Sequence, residues 1–150
     1  MPADQVVIGV GCDARGDDAA GLAVVRLLRG TLPPSVVLTE SPGDPMHLVT
    51  AWRGARLAIV IDAVRSGAAP GTVHRDVRPG PAHAAGTHAL GLADAIALGN
   101  ALGALPDELV VFGVEGGDFG VEAPVTPPVR AAIRETAEAV RRRLDRDRQR

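Results

Sequence analysis

Asp18, Asp62 and His88 are the side chains whose types and placement could do chemistry together. Two carboxylates and one imidazole, with further coordination positions open, form a divalent-metal ligand set suited to nickel, zinc, iron or manganese. Spacing alone does not choose among these metals. Asp18 begins a helical pattern, where the macrodipole favours the ionised carboxylate that metal binding needs. Asp62 closes the apolar run Arg56 to Ile61, and His88 precedes the helical pattern that starts at Leu90. Singly, each has an ordinary explanation as a macrodipole acid, a hydrogen-bonding acid at a strand end and a loop histidine. Their joint placement is what points to a site. His83 is close enough to His88 in sequence to be a further candidate ligand, whereas His47 and His74 read as residues of a surface helix and an exposed strand face. Cys12 lies beside the helix start, where a thiolate can be stabilised and His88 could serve as its base; a small buried thiol is the plainer reading.

The elements that must position these groups follow from apolar periodicity. The central stretch Gly9-Val10-Gly11-Cys12-Asp13-Ala14-Arg15-Gly16-Asp17-Asp18 links a strand at Gln5 to Val10 to a helix that runs from Asp18 toward Gly30. Val36 to Thr39 reads as a second strand, followed by the surface loop Glu40-Ser41-Pro42-Gly43-Asp44-Pro45 and a short helix from Met46 to Trp52. Arg56 to Ile61 has the continuous apolar character of a strand buried on both faces. A short edge strand at Thr72 to Arg75 comes next, then a loop from Pro79 to Gly86 and a helix from Leu90, ended by Gly103 and Pro106. Leu109 to Val114 is a further strand, with an acidic, flexible end at Glu115-Gly116-Gly117-Asp118. The last helix opens at Thr126-Pro127-Pro128, with proline in its first turn, and ends in a charged tail over 141–150 read as solvated. The alternation predicts an α/β fold: a single-domain three-layer sandwich over 1–150, with a twisted, mainly parallel five-stranded sheet and helices on both faces. Open sheets of this kind collect ligands at strand carboxyl ends, where Asp18, Asp62 and His88 would converge.

Composition narrows the function. With 150 residues, two Phe, one Trp and no Tyr, the chain builds an aliphatic core and has few surfaces on which bases could stack. A net charge of -2 supplies no basic field for nucleic acid. One cysteine makes no internal disulfide, no apolar run approaches a membrane span, and no secretory leader is evident, so a cytoplasmic protein without nucleic-acid or membrane partners is expected. Gly9-x-Gly11-x-x-Ala14 also fits a loose dinucleotide fingerprint, with Glu40 as the possible ribose acid. Asp17 and Asp18 argue against it, because they stand where a pyrophosphate would lie.

The ordered set Gly9-Val10-Gly11, Gly16-Asp17-Asp18-x-x-Gly21, Ile61-Asp62-Ala63-Val64, Pro70-Gly71-Thr72, His88-x-Leu90-Gly91-Leu92-x-Asp94 and Gly113-Val114-Glu115 resembles the hydrogenase maturation endopeptidases. The resemblance spans the chain from about Val6 to the last helix. It implies an aspartic-type protease that removes a C-terminal extension from the precursor of a nickel-iron hydrogenase large subunit after nickel insertion. It further implies that Asp18, Asp62 and His88 bind the nickel supplied by that precursor, with no organic cofactor, and carry the catalysis. The substrate-positioning loop maps to Ser41, Pro42, Gly43 and Asp44, reaching Met46, with Cys12 beside it. Relatives commonly carry glutamate at Asp18, asparagine at Cys12 and serine at Thr87. A non-catalytic checkpoint protein that binds metal or precursor is the alternative from another functional class.

Overall fold

The structure, a computed structural model, describes residues 3–75 and 89–149. Strands β1 (Gln5–Val10), β2 (Val36–Ser41), β3 (Leu57–Val64), β4 (Val73–Arg75) and β5 (Glu108–Glu115) form one sheet in the order β2-β1-β3-β5-β4. All neighbours are parallel except β4, which runs antiparallel to β5. The α/β sandwich expected from the sequence is therefore the fold. After β1 the chain moves outward to β2 and then returns to the other side of β1 as β3. The β1/β3 boundary is thus the switch point at which an open sheet leaves a crevice.

Helices α1 (Ala20–Leu28) and α4 (Pro127–Arg148) cover one face, and α2 (Pro45–Trp52) and α3 (Ala89–Leu102) cover the other. Strand alternation divides the core accordingly. Ile59, Ile61 and Ala63 of β3 pack with Val24, Val25 and Leu28 of α1 and with Val140 and Leu144 of α4. Ala58 and Val60 pack instead with Leu48, Val49 and Trp52 of α2 and with Leu92 of α3. The mean of this arrangement is a central strand apolar on both sides, as a covered parallel strand requires.

Several boundaries differ from the sequence reading. β3 continues through Asp62 to Val64, so Asp62 lies inside the strand and does not close it. β2 continues through Glu40 and Ser41, because the backbone of both stays in register with Gly9 and Val10 of β1. α1 does not start at Asp18: a 3-10 turn over Gly16–Ala19 precedes it. The acidic end of β5 is not loose either, since Glu115 remains in the strand and is buried. The last helix keeps Leu144 in the core and buries Arg143 and Asp147 as well, so one side of its charged end is packed. Asp147 accepts from Gln5 Nε2 at 2.8 Å and pairs with Arg56, tying the end of α4 to the starts of β1 and β3.

Glycines set the spacing between α1 and the sheet. A Cβ on Gly21 would stand 2.3 Å from the Ile61 carbonyl oxygen and 2.4 Å from that of Val10; one on Gly9 would stand 2.3 Å from the Gly21 carbonyl oxygen. These are backbone contacts that cannot swing aside. Gly21→Ala is expected to cost about 3 kcal/mol by overpacking, lowering the thermal midpoint by roughly 6–12 °C. An unchanged midpoint would show that α1 can withdraw from the sheet without cost.

Candidate active site

The 3-10 turn over Gly16–Ala19 carries Asp18 onto the carboxyl end of β1. Cys12 donates its backbone N–H to the Asp18 carbonyl at 3.3 Å, and a Cβ on Gly11 would meet that same oxygen at 2.2 Å. Asp62 comes to the same edge through sheet register: Ile61 is paired with Gly9, so Asp62 is level with Val10, immediately before Gly11. The two acids therefore belong to one edge of the sheet at the switch point, Asp18 on the turn that follows β1 and Asp62 in the last part of β3. Both are buried, Asp18 at 1% and Asp62 at 6% exposure. On its other side Asp62 is paired with Gly113, so no side chain from β5 stands beside it on that face.

His88 lies outside the described residues, as do His83, Thr87 and the loop from Pro79 to Gly86. The helix that follows His88 in sequence is described. A Cβ on Gly91, in the first turn of α3, would stand 2.4 Å from the Gly43 carbonyl oxygen. The Ser41–Asp44 segment is thus seated directly on the start of α3. Among the described residues, no three His, Cys, Asp or Glu side chains gather into a group able to hold a metal. Cys12 is a half-buried free thiol.

Within the segment Ser41–Asp44, the four residues divide into frame and surface. Ser41 is buried; its Oγ accepts from the Gly43 N–H at 3.1 Å and its carbonyl accepts from the Gly11 N–H at 3.0 Å. Gly43 adopts a φ of 96°, open to glycine, and is buried. Asp44 caps α2, its Oδ1 accepting from the backbone N–H of Met46 and His47 at 2.9 and 3.1 Å. Pro42 and Asp44 are the exposed members, and Met46 beyond them is exposed as well.

Asp17 has a different role from Asp18. Its carboxylate turns toward the 116–126 loop and accepts from the N–H groups of Gly117, Asp118 and Thr126 at 2.8, 3.0 and 2.8 Å, and from the Thr126 hydroxyl. Thr126 occupies the N-cap position of α4, but its hydroxyl serves Asp17 and makes no cap bond. Burial opposes ionisation of Asp17, yet these donors outweigh it and hold the carboxyl below its ordinary value of 3.8. With all its donors in the loop, Asp17 is not positioned as a spare metal ligand.

Glu115 makes a second clamp that local sequence does not announce. It accepts from the Ser66 N–H at 2.8 Å, from the Ser66 hydroxyl at 2.5 Å, and is 3.0 Å from His74 Nε2. Desolvation would raise its pKa, but Ser66 and His74 together lower it. His74 is accordingly a partly buried partner of Glu115, contrary to its reading as part of an exposed strand face. Asp13 and Glu40 are occupied elsewhere: Arg26 joins Asp13 at 2.7 Å and Glu40 at 2.8 Å, and Arg29 adds a further pair to Glu40. This removes Glu40 as a ribose acid. The glycines of the loose dinucleotide fingerprint instead serve helix packing, with Gly9 facing Gly21.

A family profile described as hydrogenase maturation protease matches residues 22–143. The chain is 34% identical to the hydrogenase expression/formation protein HoxM of Azotobacter vinelandii over 89% of its own length and 72% of the relative's. It is 34% identical to HupM, a protein of the same description from Azotobacter chroococcum, over 85% of its length and 65% of that relative's. The fold matches that of the hydrogenase maturating endopeptidase HybD from Escherichia coli with a TM-score of 0.80 at 28% identity, covering 98% of this chain and 94% of that one.

The Asp17 clamp has a measurable signature. Asp17→Asn is expected to lose about 1–3 kcal/mol of stability at neutral pH, because an amide cannot accept from all of these donors. Since the folded-state pKa is depressed, the stabilisation is full above the unfolded carboxylate value and disappears as pH falls through the lower folded value. Urea midpoints of both proteins should therefore differ by a constant amount above about pH 5 and draw together as pH falls below the unfolded carboxylate value toward the lower folded one. A gap that widens in acid would refute the assignment.

Proposed function

Because this chain belongs to the hydrogenase maturation protease family, a family of hydrolases acting on hydrogenase precursors, we propose that its substrate is the precursor of a nickel-iron hydrogenase large subunit. The bond cut releases a C-terminal extension. The nickel already inserted in that precursor is the recognition element, arriving as substrate cargo. The observation that carries this reading is the pair of buried acids at the sheet's switch point, Asp18 on the turn after β1 and Asp62 in the last part of β3.

The physical logic favours a cation. Asp18 and Asp62 are both buried, and a divalent ion offsets the cost of taking a carboxylate out of water. Oxygen and imidazole donors are compatible with nickel. In the proposed scheme Asp18, Asp62 and His88 bind the nickel of a loaded precursor and thereby bring the scissile bond into the crevice. An unloaded precursor lacks that handle. Hydrolysis is of the aspartic type: one carboxylate takes a proton from water as it attacks the scissile carbonyl. Nickel close to that carbonyl would stabilise the developing negative charge.

The Ser41–Asp44 segment supplies the contact surface for the extension. Ser41 and Gly43 hold its backbone, while Pro42, Asp44 and the neighbouring Met46 face outward. Cys12 lies beside the Asp18 backbone and would line the same cleft. The shorter reach of Asp18, relative to the glutamate common in this family, calls for closer approach of the metal to the 3-10 turn.

Cleavage of a nickel-loaded large-subunit precursor, beside the same precursor without nickel, tests the reading. Wild type is expected to cut the loaded form alone. Asp18→Asn, Asp62→Asn and His88→Ala are each expected to lose about 10²-fold or more in rate while keeping a cooperative thermal transition. Equal cleavage of the nickel-free precursor would overturn nickel recognition. Full binding of the loaded precursor without cleavage by wild type would replace the protease with a binding checkpoint.

A further inference from the structure

A cavity lies between α4 and the β4/β5 side of the sheet. It has a volume of about 130 Å3 and is lined by Arg75, Arg142, Arg143 and Arg146. Its floor is apolar, formed by Val110, Phe112 and Ala139. Among the described residues, no carboxylate lines it. We propose that this cavity is an anion-binding site that takes a multiply charged oxyanion, phosphate or a cluster of carboxylates.

The charge state of the walls carries the argument. Arg143 is 9% exposed and donates Nη2 to Glu108 at 2.6 Å; its buried Nη1 forms a long ion pair of 4.0 Å with Asp147 but, among the described residues, no hydrogen bond. A buried guanidinium N–H left unmatched is costly, and an oxyanion in the cavity would satisfy it. Arg142 has only a long ion pair of 3.7 Å with Glu138, from an exposed position. Arg75 ends β4 opposite Phe112, and Arg146 lies one helical turn beyond Arg142 on α4. Glu108, Asp147 and Glu138 offset part of the charge of the four guanidinium groups around this space, and an oxyanion between Arg75 and Arg146 would offset more of it.

Size agrees with this class. A water molecule takes about 30 Å3 in the liquid, so the cavity admits a tetrahedral oxyanion with some of its hydration. Guanidinium forks pair with phosphate and carboxylate by parallel N–H donors, a geometry that chloride cannot use. Two sources share this chemistry. One is a free phosphate-type anion, and the other is an acidic segment of the protein substrate docking away from the cleavage site.

The test uses inorganic phosphate and the full chain, with no dependence on the cleavage reaction. Calorimetric titration of wild type with phosphate, against sodium chloride at matched ionic strength, should show saturable binding specific to phosphate. Arg75→Gln combined with Arg146→Gln, both exposed, should fold normally and weaken binding by about tenfold or more. Identical phosphate binding by wild type and the double variant would overturn the site, as would no binding by either. The source is separated with the hydrogenase precursor. A KM for cleavage raised by phosphate and by the double variant, at unchanged kcat, identifies an acidic segment of the precursor. Phosphate binding with an unaltered KM identifies a free anion.

Discussion

The first turn of α1 rests on bare backbone. Gly21 touches the carbonyls of Val10 and Ile61, Gly9 faces Gly21 in return, and Gly11 lies against the carbonyl of Asp18. Any side chain at these positions would push the helix from the sheet. The consequence is positional: the turn that carries Asp18 is pressed onto the ends of β1 and β3, and Asp62 is level with it by strand register. Buried acids are costly to ionise, and here packing holds the backbone that carries both of them in place. The remaining structure can be understood as what is needed to keep that approach close.

Acidic residues do three different things in this chain. Asp18 and Asp62 form the acidic edge. Asp17 and Glu115 are structural acceptors: one draws the 116–126 loop to the 3-10 turn, the other draws Ser66 and His74 to the end of β5. Asp13, Glu40, Asp4 and Asp147 pair with arginines on the outside and at the far end of the sheet. The structural acceptors matter to the site because they frame it. Each binds several donors, so the loops around the strand ends are held by directional bonds where apolar packing is thin.

The acidic edge and the arginine-lined cavity lie in different parts of the sheet. The acidic edge lies at the carboxyl ends of β1 and β3, whereas arginines of α4 and β4 surround the cavity beside β5. A precursor that presents a cation to one end and an acidic segment to the other would be oriented by both before any bond is cut. Electrostatic complementarity of this kind acts on encounter and register more than on raw affinity.

Much of this architecture was legible in the chain. Apolar runs alternating with helical periodicity determined the α/β class and the five strands, and the ordered glycines and acids around Asp18 and Asp62 pointed to the family. Those features are local, since periodicity and turn chemistry act within a few residues. Strand ends were less legible: Asp62, Glu40, Ser41 and Glu115 look like loop residues by type, but cross-strand register holds each of them in the sheet. Asp17 and Asp18 are adjacent and chemically identical in sequence, yet only tertiary structure could assign one to a loop about 100 residues away and the other to the sheet edge. The arginine cavity has the same origin. In sequence the end of α4 reads as a charged, solvated tail; the packing of α4 against β5 decided that Arg143 is buried and that Arg75, from another element, joins it. A partner's identity is set by distance in space, and periodicity carries no record of that.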